Sequence, residues 1–183
     1  INHALHRDHR KIVVIDGKVG YTGGMNIANY YIKGLPEIGD WRDMHVRIEG
    51  DAVNNLQDIF LTMWNKSTKQ HIGGAMYYPL LNDSIVTGGK TVAIVDRVPR
   101  KSPKIMRRMY VKSLDAAQHK VQIVNPYFTP THSIKKAIRR ALKRGVEVEI
   151  MIPGKSDIPF TPDAAFYTSN KLRKKGAEIY IYN

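Results

Sequence analysis

The chain has 183 residues, with 29 Lys+Arg against 16 Asp+Glu and a formal net charge of +13. Its 43% hydrophobic and 25% charged residues are the composition of a globular chain, which excludes disordered and collagen-like classes. The chain contains no cysteine, which excludes a disulfide framework, a thiolate nucleophile and a Cys-ligated zinc, and which fits a reducing compartment.

The longest aliphatic run, Ile12-Val13-Val14-Ile15, is far short of the ~20 residues that a membrane span needs. Ile1-Asn2-His3 has no Met and no signal-peptide architecture, so the expectation is a piece of a longer protein. The cation excess points to an anionic partner, either a phospholipid headgroup or a nucleic acid.

Residues 10–16 predict a short buried strand, Asp16-Gly17 a hairpin, and 18–22 the return strand. Gly23-Gly24 marks a tight turn or a close backbone approach, and a helix can start over 26–31. Residues 44–48 alternate as a half-buried strand does. Val53, Leu56, Ile59, Phe60, Met63 and Trp64 then fall at helical spacing. The turn-forming stretch 67–89, with Gly73-Gly74 and Asn82-Asp83, predicts a linker. Beyond it the spacing predicts a strand at 91–95, a helix starting at Ser102-Pro103, and a strand at 121–124. A helix ended by Gly145, a strand at 146–152, a helix ended by Gly176 and a strand at 178–182 complete the pattern. The predicted class is α/β, with a mixed, mostly parallel sheet flanked by helices on both faces.

The sharpest chemical signal is His9-Arg10-Lys11, four aliphatic residues, Asp16, and then Gly23-Gly24-Met25-Asn26. Alternate residues of a strand share a face, so His9 and Lys11 point the same way. Phosphodiester transfer needs a nucleophile, a cation on the non-bridging oxygens, and donors near small residues. His9 can supply the first, Lys11 the second, and Gly24 with Asn26 the third. Asp16, at the hairpin, could orient an imidazole or hold the turn. A lone His-x-Lys fits an ordinary solvated strand. The combination at fixed offsets favours phosphodiester chemistry.

This string resembles the phospholipase D superfamily signature, H-x-K-x(4)-D followed by G-[GS]-x-N. The neighbourhood Arg7–Gly17 and Gly20–Ile27 is similar to the first motif of bacterial cardiolipin synthases. So are Trp41-Arg42-Asp43, Arg47-Ile48-Glu49-Gly50, Asn125-Pro126-Tyr127-Phe128-Thr129-Pro130 and Met151-Ile152-Pro153-Gly154-Lys155-Ser156-Asp157. The resemblance implies a phosphatidyltransferase that joins two phosphatidylglycerol molecules through a phosphatidyl-histidine, without metal or cofactor. It implies that His9 is nucleophile or general acid, that Lys11 and Asn26 contact phosphate while Gly24 permits the approach, and that Asp16 supports the histidine. It places the longer protein at a bacterial cytoplasmic membrane.

The resemblance also divides the chain into 1–66, the C-terminal part of a first lobe, and 90–183, the N-terminal part of a second. No other histidine has a Lys two positions on, so the second copy of the motif is missing. Since the lobes are repeats, the two parts could form one permuted lobe, with Tyr182 near Ile1. They could do so in one chain, or by exchange in a homodimer that pairs two His9 side chains. His3 and His6 are expected at the rim of the motif, and His45 in packing. Two rivals stand beside the lipid enzyme: a nuclease-like phosphodiesterase, which the motif contexts disfavour, and a non-catalytic basic module for anionic membrane. The runs at 135–144 and 171–175 lean towards such a membrane surface.

Overall fold

The computed structural model describes residues 8–79, 89–98, 102 and 104–182. His3, His6, Asn82-Asp83, Pro103 and the Ile1 end of the expected Ile1–Tyr182 approach lie outside the described residues. The chain divides into two units, Ile1–Leu35 with Asp40–Asp96, and Pro36–Gly39 with Arg97–Asn183.

The first unit is built on an antiparallel sheet of β1 (Ile12–Ile15), β2 (Val19–Gly23) and β3 (His45–Glu49) in that order. Asp16 and Gly17 have φ of 53° and 65°, the left-handed pair that a two-residue hairpin requires, and Lys18 N–H donates to the Ile15 carbonyl. Ile12, Val14 and Ile48 share one face, which α2 (Ala52–Thr68) covers with Val53 and Leu56. Leu56 lies so close to Gly20 that a Cβ there would meet its Cδ1 at 2.7 Å. Burying Leu56 is worth about 1.5–3 kcal/mol. On the opposite face Val13 and Ile15 remain 48% exposed. A four-residue helix, α1 (Tyr30–Lys33), follows β2.

Residues 67–79, predicted as linker, belong to this unit. Tyr78 O–H donates to the Asp58 carboxylate, and Asn65 exchanges hydrogen bonds with the Ile72 backbone. The predicted strand at Thr91–Val95 is absent. Among the described residues no strand pairs with it, and Ile94 instead packs onto the Ile48–Val53–Leu56 core.

The second unit holds a parallel sheet of β4 (Lys120–Val124), β5 (Glu147–Pro153) and β6 (Glu178–Tyr182), with α3 (Ile105–Ala116), α4 (His132–Lys143) and α5 (Thr161–Arg173). Val148, Ile150 and Ile152 of β5 are buried on one face. All three helices reach that cluster, through Leu114, through Ala137, Ile138 and Ala141, and through Ala165 and Leu172. Gly145 and Gly176 close α4 and α5 at φ of 83° and 100°, with Val146 N–H on the Ala141 carbonyl and Ala177 N–H on that of Leu172. The other face of this sheet carries Lys120, Gln122, Glu149 and Glu178 in register.

Two corrections follow. The strands are not mostly parallel, because the hairpin forces an antiparallel first sheet while the βαβ crossovers make the second parallel. Within this one chain the two parts also do not build the single sheet that a composite lobe in one chain requires. Among the described residues the strands of 1–66 and of 90–183 share no sheet.

Candidate active site

Strand alternation carries Lys11 onto the open face of Val13 and Ile15, away from α2. There its Nζ lies 3.0 Å from His9 Nδ1 and donates to the His9 carbonyl at 2.7 Å. His9 is exposed and Lys11 half-buried. Between them, Arg10 binds Asp8 and reaches Asp96 at 2.7 Å. Those carboxylates raise the Arg10 guanidinium, chiefly through Asp8, and Arg10 in turn holds the Asp8 carboxyl below its ordinary value. The strand entering the site is thereby fixed by its middle residue.

The Gly-Gly turn ends β2 beside β3. Gly24 N–H donates to the Met44 carbonyl at 3.1 Å, and Asp43 Oδ1 accepts from Met44 N–H at 2.7 Å. A Cβ on Gly24 would fall 2.2 Å from Asp43 Oδ1, and one on Gly23 2.3 Å from the Met44 carbonyl oxygen. Gly23 is therefore required by the close approach of backbone, while a side chain at Gly24 would have to displace the Asp43 carboxylate. Gly23 also faces His45, whose Nδ1 is buried without a hydrogen-bond partner, so His45 packs as the sequence predicts.

Asn26 Nδ2 donates to Tyr31 Oη at 2.8 Å. Tyr30, Tyr31 and Trp41 form an aromatic trio beside it, with centroids 4.5, 4.9 and 5.7 Å apart. Desolvation, and then the neighbouring Tyr30, raise the Tyr31 hydroxyl. Sequence pattern does not reveal this trio, since Trp41 lies ten residues beyond Tyr31 and only the fold closes the gap. Trp41-Arg42-Asp43 stands out in the sequence, but the approach of Asp43 to Gly24 does not.

Asp16 is not part of this cluster. It sits in the hairpin at the far end of β1, seven residues from His9, a distance of about 20 Å along an extended strand. Its φ of 53° serves the two-residue turn between β1 and β2. In the second unit, Tyr127 O–H donates to Asp157 Oδ1 at 2.7 Å, tying together the loops that leave β4 and β5, while Phe128 is buried.

A family model described as "Cardiolipin synthase, PLD-like domain" matches residues 110–183. Cardiolipin synthase 1 of Staphylococcus aureus (strain COL) is 39% identical over 179 residues, 97% of this chain and 36% of the relative. Cardiolipin synthase of Listeria monocytogenes serotype 4a (strain HCC23) is 36% identical over 180 residues, 97% of this chain and 37% of the relative. The chain belongs to the cardiolipin synthase family of the phospholipase D superfamily. It spans little more than a third of the length of these cardiolipin synthases. The family model covers α4 and the parallel sheet, whereas the His9 site lies in the segment matched through the full-length relatives alone.

Proposed function

We propose that this chain is the part of a phosphatidyltransferase that carries one of its two catalytic histidines, and that the enzyme makes cardiolipin from two phosphatidylglycerol molecules. In the first step a histidine Nε2 attacks phosphorus, the bond from phosphorus to the glycerol oxygen breaks, and a second histidine protonates that oxygen. In the second step a hydroxyl of another phosphatidylglycerol gives up its proton to that second histidine and attacks phosphorus. The P–N bond then breaks. His9 takes one of these two places, and Lys11 and Asn26 hold the non-bridging oxygens above the Gly23-Gly24 turn. No metal is required for either step.

What supports this reading is the register that sets Ile12 opposite Thr22, so that the His9–Lys11 pair and the Gly23-Gly24 turn lie at the same end of the antiparallel sheet. The relatives named cardiolipin synthase support the lipid substrate. In the longer protein we place the second histidine in the remaining sequence, and a further helix on the open face of the first sheet. The enzyme would work at the cytoplasmic membrane of a bacterium. No helix among the described residues is long and apolar enough to cross a membrane, so this chain would meet the lipid at its surface.

The test is release of labelled glycerol from phosphatidylglycerol by the longer protein, with a denaturing quench at neutral to mildly alkaline pH, which spares the acid-labile P–N bond, and mass spectrometry to find phosphatidyl-histidine. Cleavage of single-stranded DNA without lipid turnover would reassign the chain to the nuclease-like branch.

A further inference from the structure

The second unit is electrically two-sided. Helices α3, α4 and α5 together carry ten lysines and arginines against two acids, Asp115 and Asp163. All three helices sit on the face of the sheet that buries Val148, Ile150 and Ile152, so these charges share one layer. The opposite face presents Glu147, Glu149 and Glu178 against the single cation Lys120.

Part of the cationic layer is internal bracing. Arg140 clasps Asp115 at 2.9 and 2.7 Å, and Arg144 donates to the Leu114 and Ala117 carbonyls at the end of α3. Those contacts hold α3 against α4 and engage both guanidiniums within the unit. Lys136, Arg139 and Lys143 differ. They are exposed, they repeat at helical spacing on α4, and no acidic residue of α4 opposes them. At the α5 side Lys171 donates to Tyr167 Oη at 2.6 Å and lies 4.1 Å from its ring centroid, and Lys135 of α4 is within electrostatic reach of the same hydroxyl. Tyr167 is 65% exposed and Tyr110 of α3 52%, so amphipathic rings stand among the cations.

We propose that the α3–α4–α5 layer is the surface by which this chain lies on an anionic phospholipid bilayer, with the acidic sheet face turned away from it. The inference rests on the lipid reading above for its choice of a bilayer over a nucleic acid. Exposed tyrosines beside lysines suit the headgroup region. A two-sided charge distribution also sets orientation. The Glu face is repelled by the same surface that attracts the helices, and screening confines both effects to about 8 Å at physiological salt.

The test is cosedimentation of the full chain with phosphatidylcholine vesicles containing phosphatidylglycerol, and with phosphatidylcholine alone. Each cation near such a surface is worth about fivefold in partitioning, so Lys136→Gln/Arg139→Gln/Lys143→Gln should weaken binding on the order of 100-fold. The charge-matched control Lys18→Gln/Lys66→Gln/Lys69→Gln, in the other unit, should leave most binding in place. A second variant, Lys174→Gln/Lys175→Gln, repeats the test beyond α5 without touching α4. Equal losses in the two triple variants would overturn the proposal, as would equal binding to both vesicle types. Tighter binding to an oligonucleotide than to anionic vesicles at the same salt would assign the layer to nucleic acid instead. Vesicle binding needs no turnover, so loss of the catalytic reading would leave this result standing.

Discussion

The Lys11 ammonium lies 3.0 Å from His9 Nδ1. An ammonium donates and cannot accept, so Nδ1 is the acceptor and a neutral His9 carries its proton on Nε2. In that form Nε2 has no lone pair for attack, and a general acid needs both ring nitrogens protonated. A nucleophile needs the Nε2 lone pair, with the proton on Nδ1, and so Lys11 has to leave His9 first. A bound phosphate supplies the reason, because its oxygens offer the ammonium a stronger, charge-assisted bond. Nitrogen NMR of the His9 ring at alkaline pH should find the Nε2–H tautomer without anion and a changed signal with inorganic phosphate. Lys11→Met should abolish the response. An Nδ1–H tautomer in the anion-free chain would contradict the contact.

His9 itself is exposed and bonds only locally, so its removal should be visible in chemistry and not in folding. In the longer protein His9→Ala should lower turnover by at least ~10²–10⁴, the range for a lost general acid, and by more if His9 attacks. Its unfolding midpoint should match that of the unaltered protein, as is usual for surface substitutions. Turnover within a few-fold of the original would remove His9 from catalysis.

The Gly24–Asp43 contact gives a structural prediction. A Cβ 2.2 Å from a carboxylate oxygen cannot be accommodated without movement of Asp43, which also accepts from Met44 N–H. Gly24→Ala should therefore cost about 1–3 kcal/mol, the scale of overpacking, and displace the turn that faces Lys11. Gly24→Ala/Asp43→Ala should be more stable than additivity allows, because the second change relieves the first. Additive losses in a denaturant series would show that the two residues do not press on each other.

Local signals carried most of this architecture, and the failures have a common cause. Asp16-Gly17 announced a two-residue hairpin, and the structure gives both residues the positive φ that such a turn needs. The Ile134–Leu142 stripe with Gly145 likewise predicted α4 and its cap. Thr91–Val95 has the alternation of a strand, yet a strand also needs a neighbour, and the sequence does not say whether one is present. The Tyr30–Tyr31–Trp41 trio depends on contacts between segments, which periodicity does not report.

Arg140 and Asp115 give a pH dependence whose sign can be worked out. The hydrogen bond from Arg140, and then its charge, hold the Asp115 carboxyl below its ordinary value. A carboxyl whose folded pKa is lowered contributes stability that is complete above the unfolded value of about 3.9 and is lost as pH falls through the folded one. Arg140→Gln should remove that contribution, so its stability curve should fall less between neutral pH and the acid limb. Chemical denaturation of both proteins across this range checks it. The same slope in both would mean that the pair does not couple to folding.

The chain carries one His-x-Lys pair, and none of His3, His6, His45, His71, His119 and His132 has a Lys two positions on. A single His9 can attack phosphorus or protonate the departing glycerol, but in one turnover it does not do both. A monomer of this chain should therefore show no measurable turnover of phosphatidylglycerol, since losing the acid alone costs ~10²–10⁴. Two chains that brought their His9 side chains to one phosphate would have both groups. Any activity should then sediment with a dimer, rise faster than linearly with protein, and fall when His9→Ala chains are mixed in. Activity that sediments with the monomer and scales linearly with concentration would show that one histidine suffices.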